Sequence, residues 1–389
     1  MKTWRLVALL VLCVMATGPH APAAAPGAVV TITNTLDLAR PSETIVLAGA
    51  AIRKAMPVED LRTVHVTDDA SGKEITAQPV DLNDDGVFDE VVFQADIAPK
   101  AARTFSLSVG PRQIHTKDQF KAYGRFVRER RDDFAWENDR VAHRMYGKAL
   151  ETWAQEPLTS SSVDVWFKRT RRLVINDWYM VDDYHRDNGE GADLYSAGKS
   201  RGCGGNGIWD AGKLYTSANF IDSRVLANGP IRVMFELVYP AFDAAGSRVT
   251  EIKRITLDAG QNLNRFESRY AGAPAAPTMQ AAGIKKAPGS QVAQDKARGV
   301  LRTWEPVKAD GSNFGCGVVV DPAQLTEFAE LDGNVLAVTT MSAGSDVTYY
   351  AGAGWDRSGD FKTVEDWDRY LGQAAQRIRT PLAVSVAAK

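Results

Sequence analysis

Residues 231–257 read IRVMFELVYPAFDAAGSRVTEIKRITL and contain two long runs of strand-forming residues that are joined by a short turn. A third run, LNRFESRY at residues 263–270, follows after a second short turn. Apolar and polar side chains alternate along parts of these runs, which is typical of strands that pack one face on a core. Short turns favour antiparallel pairing between consecutive strands. This segment therefore predicts part of a large antiparallel β-structure.

The chain continues to favour strands on both sides of this segment. We predict a small antiparallel β-sandwich over residues 27–112 and a large β-sandwich domain, which bears the functional site, over residues 113–389. Residues 111–131 are mixed and charged, and we interpret them as a connector. Only residues 364–378 show convincing helical spacing of apolar side chains, and residues 382–388 are expected to return as a last strand. The predicted fold class is all-β with few helices.

The composition excludes partners that are recognised by bulk charge. The 389-residue chain has 46 basic and 48 acidic side chains and a formal charge of -2 at pH 7. Such a chain has no strong field to attract nucleic acid or an anionic membrane surface. We expect no nucleic-acid partner, and the sequence leaves the oligomeric state open.

The N-terminus has the pattern of a secretory signal peptide. Lys2 and Arg5 precede an apolar run at residues 6–16, and small residues and prolines follow at residues 21–27. The apolar run is too short to cross a bilayer, and no later stretch is long enough. We predict a cleaved signal peptide at residues 1–25 and a mature protein that is periplasmic or secreted, without a membrane span.

The three cysteines divide into one in the signal region and two in the mature chain. Cys13 follows the bulky Leu12, where a lipoprotein signal needs a small residue, so we do not expect lipidation. Cys203 and Cys316 are both flanked by glycines. In an oxidising compartment they would form one disulfide, and two unpaired thiols are the alternative.

Residues 184–207, YHRDNGEGADLYSAGKSRGCGGNG, concentrate chemically versatile side chains on a backbone with seven glycines. Functional residues are enriched on loops, so we interpret this stretch as a ligand-binding loop that includes His185. A solvated surface loop is the alternative. Residues 161–175 are strand-like, and we expect the strand to continue through Trp178 and Tyr179 into the loop.

A second polar stretch precedes this loop at residues 136–147. If it is a strand, Arg144 and Tyr146 lie on one face while His143 lies on the other. A polar face inside a large sheet needs partners or water, so the strand lies at a sheet edge or lines a ligand groove. We predict that Arg144, Tyr146 and the loop carrying His185 meet in one groove.

Residues 81–89, DLNDDGVFD, match the first nine positions of a calcium-binding loop. The candidate ligands are Asp81, Asn83, Asp85 and Asp89. Val92 occupies the twelfth position, where a bidentate glutamate is expected, so an acidic hairpin turn is the alternative. We expect no cofactor, with a structural calcium ion at this turn as the alternative.

Several motifs together resemble one known family. They are WEND at residues 136–139, RMYG at 144–147, WY at 178–179, YH at 184–185, GEGAD at 189–193, RGCGG at 201–205 and NGPIR at 228–232. The sequence is similar to the family described as domain of unknown function 4861, whose members are secreted bacterial proteins encoded among genes for polysaccharide breakdown. The resemblance implies carbohydrate work outside the cytoplasm, on pectin, ulvan or other glycans that contain uronic acid.

A second resemblance concerns the middle of the chain. The NGPIR motif followed by residues 251–257 and 264–268 is similar to the large sandwich of galactose-mutarotase-like proteins and several polysaccharide lyases. This likeness implies a β-supersandwich whose site lies on the concave face of the larger sandwich, but a shared fold does not fix a function.

For a lyase acting on uronates, the sequence offers each required group. A lyase needs a base, a group that neutralises the substrate carboxylate, and an acid for the leaving oxygen. His185 is the candidate base, Arg144 or Arg201 the carboxylate-binding group, and Tyr146 or Tyr184 the acid. The further candidates for substrate binding are Trp136, Glu137, Asn138, Trp178, Asp193 and Arg201.

Other activities remain open at this stage. A glycoside hydrolase would use two carboxylates, for which the candidates are Glu137, Asp139, Asp187, Glu190 and Asp193. An epimerase would use His185 with an acidic partner. A protein that only binds carbohydrate would use the same histidine, arginines and aromatic side chains for recognition alone.

Overall fold

The computed structural model describes residues 27–155, 157–181, 183–272, 278–308, 310–341 and 346–389. The predicted signal peptide at residues 1–25 lies outside the described residues. Within the described ranges, no helix is long and apolar enough to cross a membrane. Strands dominate these ranges, which contain three α-helices, so the predicted all-β class is confirmed.

The N-terminal part of the chain forms a small two-sheet sandwich. Its elements are β1 (Ala28–Thr33), β2 (Arg40–Ala48), α1 (Gly49–Ala55), β3 (Val64–Asp68), β4 (Lys73–Ile75), β5 (Ala77–Val80), β6 (Glu90–Ile97) and β7 (Ala102–Val109). One sheet has the order β1-β7-β3-β4 and the other β2-β6-β5. Alternate side chains of a strand point to opposite faces, and Val30, Ile45 and Phe93 fill the core between the sheets.

A five-stranded sheet begins the larger part of the structure. Its elements are β8 (Ala122–Val127), β9 (Asp133–Asn138), β10 (Val141–Met145), β11 (Asp164–Lys168), α2 (Ile175–Val181) and β12 (Gly191–Ala192). The strand order is β12-β11-β10-β9-β8, with antiparallel pairing. Short 3-10 turns lie at Leu61–Thr63, Lys117–Gln119 and Lys148–Thr152.

Two further sheets complete the large sandwich. The remaining elements are β13 (Cys203–Asp210), β14 (Lys213–Tyr215), β15 (Asp222–Asn228), β16 (Arg232–Val238), β17 (Phe242–Ala244), β18 (Ser247–Asp258), β19 (Leu263–Ala271), β20 (Met279–Lys285), β21 (Gln291–Asp295), β22 (Val300–Pro306), β23 (Asn313–Val319), β24 (Leu325–Leu331), β25 (Asn334–Thr340), β26 (Val347–Trp355), α3 (Val364–Arg379) and β27 (Ala383–Ala388). One sheet has the order β14-β13-β20-β25-β24. The other has the order β15-β16-β18-β19-β26-β23-β22-β21, with β17 paired to β18.

The three strand-forming runs of residues 231–270 form neighbouring antiparallel strands, β16, β18 and β19. Phe235 lies opposite Ile255, and Ile255 lies opposite Phe266, so one apolar row crosses all three strands. All three side chains are fully buried. The rings of Phe134 and Trp136 on β9 approach Phe235 with centroid distances of 4.0 and 5.0 Å. This row therefore joins the large sheet to the sheet that carries the candidate site.

The C-terminal residues pack against both parts of the structure. The helix predicted at residues 364–378 is confirmed as α3, which begins with a capping box between Thr363 and Asp366. The predicted last strand is also confirmed, as β27. It pairs with β1, so that Val386 lies opposite Val30 in the N-terminal sandwich, although the predicted second domain at residues 113–389 includes it.

Three local predictions need correction. The strand expected to continue through Trp178 and Tyr179 ends at Lys168, and these two aromatics lie on α2. The backbone N–H groups of Val174 and Ile175, at the start of α2, donate to Oε1 of the buried Glu137 at 2.7 and 2.8 Å. Ile175, Trp178 and Tyr179 also follow the i, i+3, i+4 spacing of a buried helix face.

The other two corrections concern segments that were interpreted as loops. Residues 111–131 are not only a connector, because they include β8, which pairs with β9. The expected loop at residues 184–207 contains β12, and its last residues, from Cys203, form the start of the buried strand β13. The ligand-loop interpretation therefore applies at most to the part of this stretch that stays outside the strands.

Candidate active site

A buried arginine organises the polar cluster beneath the loop that follows α2. Arg144 on β10 is only 3% exposed, and its Nε donates to Asp164 Oδ2 at 2.7 Å. Its Nη2 donates to Asp193 Oδ2 at 2.9 Å, and Nη1 lies 3.4 Å from the Tyr184 hydroxyl. Burial alone would lower the pKa of Arg144, but the carboxylates of Asp164 and Asp193 outweigh it and raise this pKa well above its usual value.

The cluster continues on the neighbouring strand β9 through Asp133. This carboxylate is 3.0 Å from Arg130 Nη1 and 3.9 Å from Arg144 Nη1, and it accepts a hydrogen bond from the Tyr179 hydroxyl at 3.1 Å. Burial raises its pKa to about 6 despite the two arginines. The Tyr146 hydroxyl donates to Asp164 at 2.8 Å.

Carboxylates outnumber guanidinium groups in this cluster. Asp133, Asp164 and Asp193 face Arg130 and Arg144, so the fully ionised set would carry one excess negative charge. Burial, followed by the charge of Asp164, raises the pKa of Asp193 well above its usual value. Asp193 Oδ1 has no hydrogen-bond partner among the described residues. A positive group brought next to Asp193 would favour its ionised form and oppose this shift.

His185 is the member of the cluster that reaches solvent. Its side chain is 68% exposed, and its Nδ1 lies 3.4 Å from both Asp193 Oδ2 and the Asp193 carbonyl oxygen. Within the described part of the chain, its Nε2 has no hydrogen-bond partner. A histidine whose one nitrogen faces a buried carboxylate while the other faces solvent can take up or release a proton at its exposed nitrogen.

An aromatic stack supports this histidine and covers Arg144. The Tyr184 ring lies 4.7 Å from the His185 ring and stacks on Trp166 at 4.8 Å. Trp166 in turn stacks on Trp178 at 5.5 Å. The Arg144 guanidinium carbon is 5.3 Å from the Trp166 ring and 5.5 Å from the Tyr184 ring. The stack excludes water from the cluster, so the electrostatic interactions within it are stronger than at the surface.

Surface ion pairs brace the loop around His185. Arg169 lies 3.1 Å from Asp187, whose other oxygen accepts hydrogen bonds from the backbone amides of Gly189 and Gly191. Arg172 binds Glu190, and this pairing lowers the pKa of Glu190. Arg186 is exposed, and no described residue forms an ion pair with it. The loop therefore presents one histidine and one uncommitted cation side by side in the chain.

The structure brings together five of the residues that the sequence singled out, but not in the expected geometry. They are Arg144, Tyr146, Tyr184, His185 and Asp193. Arg144 was predicted to bind a substrate carboxylate, and Tyr146 or Tyr184 to donate a proton. All three are buried, and the two side chains of Arg144 and Tyr146 are committed to protein carboxylates. In this structure only His185 among the five is exposed.

The other candidates for substrate binding have structural partners. Trp136 Nε1 donates to Asn264 Oδ1 at 2.7 Å, Glu137 forms an ion pair with Lys168 at 2.6 Å, and Asn138 Nδ2 donates to the Asp258 carbonyl at 2.6 Å. Trp178 belongs to the stack below His185. Arg201 is buried elsewhere, within the large sandwich, where its Nη1 donates to Ser161. Burial lowers the pKa of Arg201 to about 10.

Sequence reasoning missed Asp133 and Asp164. Asp164 lies directly opposite Arg144 in the β10–β11 register, so its carboxylate is on the same face of the sheet. The available signal was the period of two in residues 164–168, where an acidic residue, a tryptophan and a lysine alternate with apolar residues. Such a face can be read from the sequence, but its pairing partner cannot.

In the acidic turn at residues 81–89, backbone amides of the turn itself donate hydrogen bonds to the carboxylates. Asp81 accepts hydrogen bonds from the amides of Asn83, Asp84 and Gly86, and these amides lower its pKa although burial opposes them. Asp89 accepts from the Leu82 amide at 2.7 Å. Within the described ranges, no group of three or more His, Cys, Asp or Glu side chains could hold a metal ion. The hydrogen bonds account for the acidic hairpin turn without an ion, and calcium binding stays a prediction.

Cys203 and Cys316 lie together between facing sheets. Both are buried free thiols, and Cys203 Sγ donates to the Gly352 carbonyl at 3.2 Å. Burial, followed by the neighbouring Cys203 thiol, raises the pKa of Cys316 well above its usual value. The predicted disulfide is thus absent from this structure, although the two side chains are neighbours.

Comparison with known proteins agrees with this architecture. A solved protein of glycosyl hydrolase family 38 from Enterococcus faecalis is similar in fold, with a TM-score of 0.51 and 10% identity over 93% of this chain and 47% of that chain. An α-mannosidase from Enterococcus faecalis V583 has a TM-score of 0.48 and 10% identity, over 93% of this chain and 46% of that chain. The chain thus spans about half the length of the solved structures that it matches, and this likeness concerns the fold alone.

Similarity in sequence is more specific. The uncharacterized protein P7 of Formosa agariphila is 32% identical over 371 residues, which are 92% of this chain and 93% of that protein. The family model described as domain of unknown function DUF4861 matches residues 32–384. The chain therefore belongs to the DUF4861 family, as its motifs predicted.

Proposed function

We propose that the chain is a carbohydrate-active enzyme that cleaves oligo- or polysaccharides containing uronic acid by β-elimination, with His185 as the base. The observation that carries this proposal is the exposed imidazole of His185 in front of the buried Asp193, at an Nδ1–Oδ2 distance of 3.4 Å. The likeness in fold to a protein of glycosyl hydrolase family 38 supports a saccharide substrate as an analogy.

In the proposed reaction, His185 Nε2 removes the proton from the carbon that bears the uronate carboxylate. The electron pair of that C–H bond forms a carbon–carbon double bond, and the glycosidic C–O bond at the β position breaks. The leaving oxygen takes a proton from the imidazolium or from water, which closes the proton balance. Asp193, held by Arg144, is the positioning residue that orients His185 and stabilises its imidazolium.

The substrate carboxylate also needs a positive partner, because the proton beside an unneutralised carboxylate is difficult to remove. The buried guanidinium of Arg144 is already bound to two aspartates. We assign the carboxylate-binding role to Arg186, which is exposed and adjacent to His185 in the chain. Its planar guanidinium is suited to bind a carboxylate through two hydrogen bonds.

Three carboxyl groups near His185 lack the properties that hydrolysis needs, which supports the proposal of elimination. A glycoside hydrolase needs an accessible carboxylic acid with a raised pKa and a second accessible carboxylate. The carboxyl groups of Asp133 and Asp193 have raised pKa values, but both are buried. Glu190 is accessible, but its pKa is lowered by Arg172. No pair among these three carboxyl groups meets both requirements.

The test is an absorbance assay for the unsaturated uronate that elimination produces. The purified protein is incubated with polygalacturonate, ulvan and a neutral glucan. We expect absorbance to rise with an acidic glycan only, and His185→Ala to lower the rate by roughly 10²- to 10⁴-fold. His115→Ala serves as the matched control, because His115 is also partly exposed and its ring contacts Phe120 rather than a member of the cluster around His185.

Two results would overturn the proposal. New reducing ends without ultraviolet absorbance would mean hydrolysis. Calorimetric binding of the acidic glycan without any product would mean a carbohydrate-binding protein.

A further inference from the structure

A second recess lies between the N-terminal sandwich, the outer face of the large sheet, and the C-terminal helix and strand. It has a volume of about 580 Å³, within the range of small-molecule sites in proteins. No member of the cluster around His185 lines it. Its walls come from β2, from β16, β18, β19 and β26, and from α3 and β27, so parts of the chain that are distant in sequence enclose one space.

The charged side chains that line this recess differ in how many of their hydrogen-bonding groups are already paired with other side chains. Arg232 uses Nε and Nη2 for Asp258, at 2.7 and 2.9 Å, and Nη1 for Glu90 at 3.0 Å. Both lining carboxylates are paired, since Asp258 binds Arg232 and Glu43 lies 3.3 Å from Arg377. The recess therefore has no carboxylate that lacks a cationic partner.

Some side chains of the recess, by contrast, have N–H or O–H groups that are not used in their hydrogen bonds with the described residues. Arg265 binds Glu267 through Nη1, and Arg377 binds Glu43 through Nη1, which leaves further N–H groups on each guanidinium. The Tyr370 hydroxyl accepts from the Asn262 amide at 2.9 Å, so its own proton is free to be donated. A recess with spare donors and neutralised carboxylates suits a ligand that is rich in acceptors.

An unsatisfied hydroxyl provides independent support. Thr256 on β18 lines the recess and is only 6% exposed. Its Oγ1 has no hydrogen-bond partner among the described residues. A buried hydroxyl without a partner is unfavourable, because the hydrogen bonds that it loses with water are not replaced. A ligand whose acceptor or hydroxyl group comes within hydrogen-bond distance of Oγ1 would satisfy it.

The aromatic lining narrows the ligand class. Tyr350 and Tyr370 both line the recess, and Leu263 and Ile378 add apolar surface. Aromatic and apolar walls with a few polar groups are suited to the mixed polar and apolar faces of a sugar ring. The spare arginine donors are suited to a carboxylate on that ring.

We propose that this recess is a second saccharide site, which binds a short oligosaccharide that carries carboxylates and holds it apart from the cluster at His185. The choice of an acidic sugar rests on the proposed function, whereas the recess and its unsatisfied Thr256 hydroxyl do not. Such a site would hold one part of an acidic glycan on the protein while another part of the same glycan reacts at His185.

The test measures binding of a linear trimer of galacturonate by calorimetry to the full mature chain carrying His185→Ala, so that the probe is not consumed. Val46→Trp places a large side chain at the recess, and Val109→Trp is the matched control. Both valines are 41% exposed on the N-terminal sandwich, but only Val46 lines the recess. Because both positions are exposed, the substitutions leave the core of the sandwich intact.

We expect Val46→Trp to weaken trimer binding at this site by at least tenfold and Val109→Trp to leave it unchanged. Thr256→Val, which removes only the hydroxyl, should weaken binding by roughly three- to tenfold. The elimination rate on a short substrate should be the same with and without Val46→Trp, so failure of this site and failure of the proposed reaction are distinguishable.

Equal binding by the two tryptophan variants, or no binding at all, would overturn the second site. A neutral cellotriose that bound as tightly as the acidic trimer would overturn the ligand class.

Discussion

Two of the buried ionic networks in the described part of the large sandwich differ in their access to solvent. The network around Arg144 ends at His185, whose side chain is 68% exposed. The second network lies on β18, where Lys253 Nζ is 3.3 Å from Glu251 Oε1, and both side chains are almost fully buried. Each network contains ionisable side chains in the protein interior, where removing a charge from water is costly unless the charge is paired.

The second network is closed on itself. Lys253 Nζ donates to Asn206 Oδ1 at 2.7 Å and lies 5.1 Å from the centre of the Tyr239 ring. Asn206 in turn donates to the Tyr270 hydroxyl at 3.0 Å. Burial lowers the pKa of Lys253, and Glu251 opposes this shift. The members of this network named here are all buried, and the hydrogen bond from Lys253 on β18 to Asn206 on β13 joins the two facing sheets.

The difference shows which observation identifies a site. Both networks contain buried charges with shifted pKa values, because structural ion pairs perturb pKa values as strongly as catalytic ones do. What separates them is the exposed Nε2 of His185 at the end of one network. Burial and pairing therefore describe the support of a site, and solvent access of one titratable atom defines the site itself.

Breaking the closed network should have the largest effect on stability. Lys253→Met leaves the carboxylate of Glu251 buried without its cation, and we expect the free energy of unfolding to fall by roughly 3–5 kcal/mol. The double variant Lys253→Met, Glu251→Leu removes both charges and should recover a large part of that loss. Chemical denaturation followed by circular dichroism measures both values. A double variant as unstable as the single one would show that the ion pair is not the reason for the loss.

The sequence was sufficient to predict the strands but not to predict which side chains are exposed to solvent. Alternation in residues 231–270 predicted β16, β18 and β19, because the period of two survives wherever one strand face is buried. The prediction failed at Trp178, because α2 is only seven residues long and its first amide, of Ile175, binds the carboxylate of Glu137, which is 38 residues earlier in the chain. Local patterns cannot contain such a long-range partner.

The candidate site shows the same limit. The sequence identified His185, Arg144 and Asp193 as chemically suitable, and they do lie together. It could not show that the Arg144 guanidinium is bound to Asp164 and Asp193, because these partners are 20 and 49 residues away along the chain. Residue type indicates what a side chain can do, whereas pairing across the sheet decides whether it is free to do it.

Removing the carboxylate of Asp193, which lies behind His185, should lower kcat and so distinguish this network from the network around Lys253. We expect Asp193→Asn to lower kcat by roughly 10- to 1,000-fold, below the roughly 10⁴-fold loss that the same change causes in a Ser-His-Asp triad, because His185 is more exposed. KM should change little, since Asp193 is buried and does not contact the substrate. Steady-state kinetics on the acidic glycan separates the two constants.

The matched control is Asp187→Asn, which removes a carboxylate from the same loop without touching His185. We expect its kcat to stay close to that of the unsubstituted protein. Equal losses of kcat in both variants would indicate a general disturbance of the loop. A raised KM with unchanged kcat in Asp193→Asn would remove Asp193 from its positioning role.

His143, the buried histidine next to Arg144 on β10, provides the smallest test of the comparison. His143 is fully buried, stacks on Trp136 and lies 3.0 Å from Asn264 Nδ2, and burial lowers its pKa to about 3. In the unfolded chain a histidine binds a proton below about pH 6.5. The unfolded state therefore binds more protons than the folded state between pH 6.5 and 3, and this group makes the protein less stable as the pH falls through that range.

One pKa unit is worth about 1.4 kcal/mol, so the loss due to His143 at pH 5 is about 2 kcal/mol. His143→Gln keeps an acceptor for Asn264 but does not titrate. Asp133, whose pKa is raised to about 6, acts in the opposite direction over part of this range, so the informative quantity is the difference between the two proteins. We expect the free energy of unfolding of the unsubstituted protein to fall by about 2 kcal/mol more than that of His143→Gln between pH 7 and pH 5. Parallel pH profiles would mean that His143 is protonated in the folded state and is not sealed from solvent as its contacts indicate.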